Sequence, residues 1–451
     1  MVEAHHQAGI FHLISFVIPL TLLLILLLRS SFFPYPEILT EIYFLKQGML
    51  PYTQINDQHF PGFMLLPINL GSFGITTVNE LRVVHLLLII INFVLLSKLL
   101  KKSDPVIKFV SLFLYTLFLF SWEGNILWVD SFVTTTALLG FYLLETDWTF
   151  KNSLTYFFSG LVFGILLAFK QHGIFLCLTA GIWVISYKPS LNRLAWFIAG
   201  GILPMGLIVL HLSLIGVFKD FWFWTISHNL SGYTSLEGRM PSMGELARFL
   251  TLVTPAVLSI FLMVKKKFLY LLFFLSSAFY IFPRFGLIHA QIALPILIYI
   301  ISRKLSLTLA IILLSLGVFF TVRVLIKDTP GKIYFYGQST QETVNYVKTN
   351  ARPNGSIYVY GVNDNIYHLT QTLPPNRVWV ELLKGNIIPG VEDTIISTLK
   401  VDPPQFILVD PQASIDSQKI SEFTPLINKY IQDNFSKRVS LSNKTEVWYA
   451  K

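Results

Sequence analysis

Only one of the 451 residues is a cysteine, Cys177, and it sits inside an apolar run. A disulfide within the chain is therefore excluded, and so is any metal cluster built on cysteine. Charge is scarce as well. Asp, Glu, Lys and Arg make up 13% of the chain, against 53% hydrophobic and 15% aromatic residues, with a mean hydropathy of +0.61. A water-soluble core cannot use that much apolar side chain, whereas a bilayer can. The chain has no internal repeat of the kind that marks paired-repeat transporters. The region after Lys327 has no glycine-rich phosphate loop, no Cys/His ligand set and no nucleophile elbow.

The charge that is present is unevenly placed. Residues 1–327 carry 22 Lys/Arg against 13 Asp/Glu, whereas 328–451 carry 12 of each. The net charge of +9 thus belongs to the apolar part. It fits positive loops facing an anionic leaflet rather than a nucleic-acid patch, and no nucleic-acid partner is expected.

Apolar runs bounded by charge or by Pro and Gly predict about eleven spans. They lie near 10–29, 80–100, 106–121, 129–145, 154–169, 173–187, 194–216, 246–264, 268–282, 287–302 and 305–326. The first is long enough to span and is followed by no small-x-small cleavage site, so it reads as a helix rather than a signal peptide. A further stretch, Phe60–Ile75, holds Pro61, Pro67 and several glycines and is expected to be re-entrant or interfacial. With a cytoplasmic N-terminus, Lys98, Lys101, Lys102, Lys108, Lys151, Lys188, Arg193, Lys265–Lys267, Arg303 and Lys304 all fall on the inner side. An odd count then places the C-terminus outside a multi-pass cell-membrane protein.

Two long outer segments remain, Ser30–Asn79 and Val217–Glu245, both rich in aromatic residues. Long irregular loops are commonly functional or disordered, and the aromatics argue against disorder. After Lys327, short strand-like runs (Ser356–Tyr360, Arg377–Val380, Gln405–Val409, Glu446–Tyr449) alternate with helix-like ones (Thr340–Asn350, Val391–Leu399, Ser414–Asn434). The expected organisation is a polytopic α-helical membrane domain at 1–327 and a small extracytoplasmic α/β domain at 328–451.

Ionisable groups at or near bilayer depth are costly and tend to be functional. In the first outer segment Glu37, Glu41, Asp57 and His59 fall within 23 residues. A carboxylate there can serve as a general base, and Asp57 with His59 can hold a divalent metal ion; the alternative is a solvated loop with ordinary charges. The second outer turn carries Glu123 and Asp130, the latter at the start of a span, where helix-dipole stabilisation is the rival explanation. Basic residues that break the positive-inside pattern are Arg82, Lys170, Arg239, Arg284 and His289. Snorkelling explains some of these; a lipid-linked phosphate would require such a group of cations.

One helix, an acidic outer loop, GMLPY followed by DQHFPG, LRVVHLLL, AFKQHG, PRFGLIHAQIALP and a terminal α/β region occur in that order. In this order the chain resembles the GT-C superfamily of polyprenyl-phosphate-sugar-dependent glycosyltransferases, the branch of protein O-mannosyltransferases and lipid A aminoarabinose transferases. The resemblance implies inverting transfer of a sugar from a lipid-phosphate donor to a glycan, lipid or protein acceptor at the outer face of the membrane. It implies Glu37, Asp57 and Asp130 as catalytic acids. Lys170, Arg284 and His289 become the donor-phosphate group, and Asp57 and His59 the candidate metal ligands. Where the family has an Asp-Glu pair after the first helix, this chain has Pro34-Tyr35-Pro36-Glu37. The rivals are a lipid-linked oligosaccharide ligase or polymerase, a transporter or flippase, and a membrane anchor that only presents the α/β domain.

Overall fold

The computed structural model describes residues 2–146, 153–187, 190–230, 239–263, 266–282, 284–352, 355–382, 389–415 and 417–451. Lys151, Lys188 and Lys265, three of the basic residues behind the expected orientation, lie outside the described residues.

Helices follow the apolar runs. The runs at 80–100, 106–121, 129–145, 154–169 and 305–326 become Val78–Leu99, Pro105–Ser121, Val129–Glu145, Ser153–Phe169 and Leu307–Lys327. Among the described residues, Val78–Lys102, Leu191–Leu214, Met243–Phe261 and Leu307–Lys327 are long and apolar enough to cross a membrane, and five shorter apolar helices accompany them. Their starts are chemically marked. Asp104 accepts from the Val106 amide ahead of Pro105, and Ser242 and Glu245 form a reciprocal capping box. One run departs from expectation. The span expected at 287–302 is broken into Leu287–Ala290 and Leu294–Ser302, with Pro295 in the first turn of the second piece. Phe60–Ile75 is a series of turns closed by a short 3-10 helix, Leu70–Phe73.

Contacts divide the chain into two units. The first comprises Met1–Phe33, Asn79–Ile208 and Arg239–Lys332; the second comprises Pro34–Val78, Val209–Gly238 and Ile333–Lys451. In the first unit, Ser153–Phe169 and the neighbouring stretch of Leu191–Leu214 approach closely. A Cβ on Gly160 would collide with the Phe197 carbonyl, and one on Gly200 with the Phe157 carbonyl. Small residues spaced four apart, Gly160 and Gly164, permit that approach, as at membrane helix interfaces generally.

The second unit includes most of the first long segment and the C-terminal region, which contains a four-stranded sheet. Tyr358–Tyr360 runs parallel to Ile407–Val409, which pairs antiparallel with Glu446–Ala450, itself edged by Phe435–Ser440. One sequence expectation needs correction here, and two further features were not foreseen. The helix expected over 414–434 is two short strands, a turn of helix at Ile420–Phe423, and the helix Pro425–Asn434, because Pro425 starts a new helix rather than continuing one. Phe435–Ser440 was not expected as a strand. Trp379–Val380 does not join the main sheet; it pairs parallel with Ile55–Asn56 from the first long segment.

Candidate functional site

In the first unit three helix termini bring charge together. Asp130 lies in the first turn of Val129–Glu145, Lys170 directly follows Ser153–Phe169, and His289 sits in the short helix Leu287–Ala290. Asp130 is fully buried. Its Oδ1 accepts from Lys170 Nζ at 2.8 Å, and its Oδ2 lies 3.0 Å from His289 Nδ1. A carboxylate only accepts, so the proton of that second bond is on Nδ1. Lys170 Nζ and His289 Nδ1 are 3.3 Å apart, two donors sharing one acceptor group.

Neighbouring backbone fixes this geometry. The Glu123 carboxylate accepts from the Ile288 amide at 3.1 Å, and the Gln291 side-chain amide donates to the carbonyls of Trp122 and Glu123 at 2.8 and 2.9 Å. Glu123 thus holds the His289 segment rather than standing open. Burial raises its pKa above the ordinary carboxylate range, offset in part by the Arg248 charge. The remaining outer basic residues divide. Arg82 donates to the Leu27 and Leu28 carbonyls and caps the first helix, while Arg239 pairs with Glu245 at 2.8 Å. Arg284 pairs backbone to backbone with Arg239, and its charge is felt at His289.

In the second unit the carboxylates have a different environment. The parallel pairing of Ile55–Asn56 with Trp379–Val380 matches Asn56 to Val380, so Asp57 and Glu381 follow side by side. His59 folds back so that its Nδ1 is 2.7 Å from Asp57 Oδ1. Ligand atoms of Asp57, His59 and Glu381 all lie within 4.8 Å of one another. The opposite oxygen of Asp57, Oδ2, is buried with no hydrogen-bond partner. Two carboxylates and an imidazole suit a divalent ion of the zinc or manganese kind, so the donor set fits the expected metal.

Beside this triad the helix Glu37–Lys46 presents Glu37 and Glu41, one turn apart and therefore on one face. Burial, then the charges of Asp364 and Asp57, push Glu37 up to about 8 against the pull of a backbone hydrogen bond. Burial and then the Asp57 and Glu381 charges raise Glu41 well above its ordinary value, and burial raises Asp364 to about 7. One buried oxygen on each of Glu37 and Glu41 has no partner. The opposite face of the helix, Leu39, Ile42, Tyr43 and Lys46, helps line a cavity of about 520 Å³ that His211 and His368 also border.

Of the residues singled out from sequence, Asp130, Lys170 and His289 therefore meet in the first unit, and Glu37, Glu41, Asp57 and His59 in the second. Sequence reasoning missed Glu381 and Asp364. A signal for Glu381 was available: it directly follows the apolar strand VWV. Nothing local marks the partner strand as one more than 300 residues away.

In fold the chain is similar to solved structures of GT-C membrane glycosyltransferases. It is similar to ArnT from Cupriavidus metallidurans in the apo state, at 10% identity and a TM-score of 0.58, covering 99% of this chain and 98% of that one. The same protein bound to undecaprenyl phosphate gives 0.57. An oligosaccharyltransferase from Archaeoglobus fulgidus, tethered to an acceptor peptide, gives 0.52 at 10% identity, over 98% of this chain and 74% of that one. No protein-family profile and no curated protein matches the sequence.

Proposed function

We propose that this protein transfers a sugar, with inversion, from a polyprenyl-phosphate-linked donor to an acceptor at the outer face of the cell membrane. The observation that carries this is the grouping of Lys170 and His289, with Arg284 close by, at helix termini of a GT-C fold. A lipid phosphate calls for such cations beside the bilayer, where its prenyl chain stays in lipid. ArnT of the same fold binds undecaprenyl phosphate. In this account Lys170, Arg284 and His289 hold the donor phosphate, and Glu37 or Asp57 takes the proton of the acceptor hydroxyl. Glu41 is the next candidate base. The chain crosses the membrane about eleven times and its C-terminal α/β region lies outside; reporter fusions at Lys101, Arg303 and Lys451 test this, and a cytoplasmic Lys451 contradicts it.

Asp57, His59 and Glu381 would hold a divalent ion, which when bound supplies Lewis-acid charge to an oxygen of donor or acceptor. Elemental analysis of the purified chain should find such an ion, lost in Glu381→Ala. Transfer itself is tested with a synthetic polyprenyl-phosphate sugar in liposomes. Turnover with a single-sugar donor supports the proposal. Turnover only with a lipid-linked oligosaccharide supports the ligase alternative, which the likeness to the archaeal oligosaccharyltransferase favours.

A further inference from the structure

We infer that His289 is a proton donor to the departing phosphate and that Asp130 is the residue that positions it. The inference rests on the proposed transfer reaction and deepens it. His289 is held on three sides. Asp130, fully buried, accepts from its Nδ1. Glu123 and Gln291 tie the segment before and after it to the 122–123 turn. The remaining ring nitrogen, Nε2, has no hydrogen-bond partner among the described residues, and the side chain stays 19% exposed. Gly286 leaves that edge of the ring open. A Cβ there would stand 3.3 Å from the ring's Cδ2 and 3.8 Å from Nε2. A carboxylate on one imidazole nitrogen and an accessible second nitrogen is the arrangement that directs proton transfer through the second.

The charged and titratable groups facing His289 are Asp130, an acid, and Lys170, Arg284 and His172, which are basic. The donor's phosphodiester brings one further negative charge, and the imidazole takes up a proton to meet it. In the transfer step the acceptor oxygen forms its bond to the anomeric carbon and gives its proton to the carboxylate base. The bond from that carbon to the phosphate oxygen breaks, with its electron pair going to the oxygen. The Nε2 proton of His289 passes to the phosphate, which leaves as a monoanion. Neutral His289 keeps the proton on Nδ1, donated to Asp130, and regains the other from water.

The decisive variant is His289→Asn, whose amide can still donate to Asp130 but has nothing at the Nε2 position. Turnover is measured with a synthetic polyprenyl-phosphate sugar and with its phosphorothioate counterpart, whose less basic leaving group needs a proton less. We expect His289→Asn to lower kcat by ~10²-fold with the phosphate donor and distinctly less with the phosphorothioate, because general-acid loss is felt according to leaving-group basicity. Calorimetry in two buffers of different ionisation heat should show proton uptake when the wild-type chain binds the donor, and none in His289→Asn. Equal losses with both donors, or wild-type turnover, overturn the inference. If His289→Asn fails to fold, the wild-type uptake measurement decides alone: no proton uptake overturns it. A wild-type chain that transfers from no polyprenyl-phosphate donor sinks the proposed function itself, a different result from a defect in one variant.

Discussion

Asp130 and Glu41 are both carboxylates at 2% exposure or less, yet their surroundings are opposite. Asp130 meets one cation and one imidazole N–H, and neither of its oxygens is left over. Glu41 meets the field of Asp57, Glu381, Glu37 and Asp364, and keeps a buried oxygen without a partner. Burial alone therefore does not decide what a carboxylate can do. Where cations accompany it, the group is a fixed charge that orients its neighbours. Where other acids accompany it, the group awaits a proton, a metal ion or a substrate hydroxyl. In the proposed reaction the cations of the first unit hold the anion, and an acid of the second unit serves as the base.

Breaking the paired region should cost most. Asp130→Ala leaves Lys170 and His289 without their acceptor, and removing one partner of a buried ion pair typically costs ~3–5 kcal/mol. Denaturant unfolding in detergent should show a loss of that order, with Lys170→Ala in the same background adding much less than it does alone. An Asp130→Ala chain as stable as wild type would erase the contrast.

The second region can be sharpened through pH. Glu37 is pushed up to about 8, and a base works only when deprotonated. Transfer should therefore rise with pH up to about 8 and fall about tenfold per unit below it, and Glu37→Gln should abolish that acid limb. A flat profile between pH 6 and 8 would remove Glu37 as the base. The smallest effect is expected at Glu41. Glu41→Gln removes a group that burial and like charges already disfavour as an anion, so stability should change by less than ~1 kcal/mol or increase. The same denaturant unfolding that detects the Asp130 variant measures it.

The helices were legible because apolar runs and their stop signals act locally. In the structure Pro105, Ser242 and Ser306 stand at the starts of three of these helices. The break after Ala290 was also written locally, in Gln291 and Pro295, but the apolar run LPILIYIIS concealed it. What sequence order cannot carry is pairing at long range. Asp130 finds Lys170 and His289 at separations of 40 and 159 residues. Glu381 reaches Asp57 only because Trp379–Val380 leaves the main sheet for Ile55–Asn56. The type of each acid was visible in the sequence, whereas its charge environment was not, and that environment decides the proposed role.

The division between anion holder and base is tested most directly by measuring turnover and donor binding separately in Glu37→Gln and Lys170→Ala, in liposomes, with a synthetic polyprenyl-phosphate sugar. Glu37→Gln should lose ~10²–10⁴-fold in turnover while donor binding stays within a few-fold of wild type. Lys170→Ala should weaken donor binding as well. Wild-type turnover in both Glu37→Gln and Asp57→Asn, or donor binding untouched in Lys170→Ala, would contradict the account.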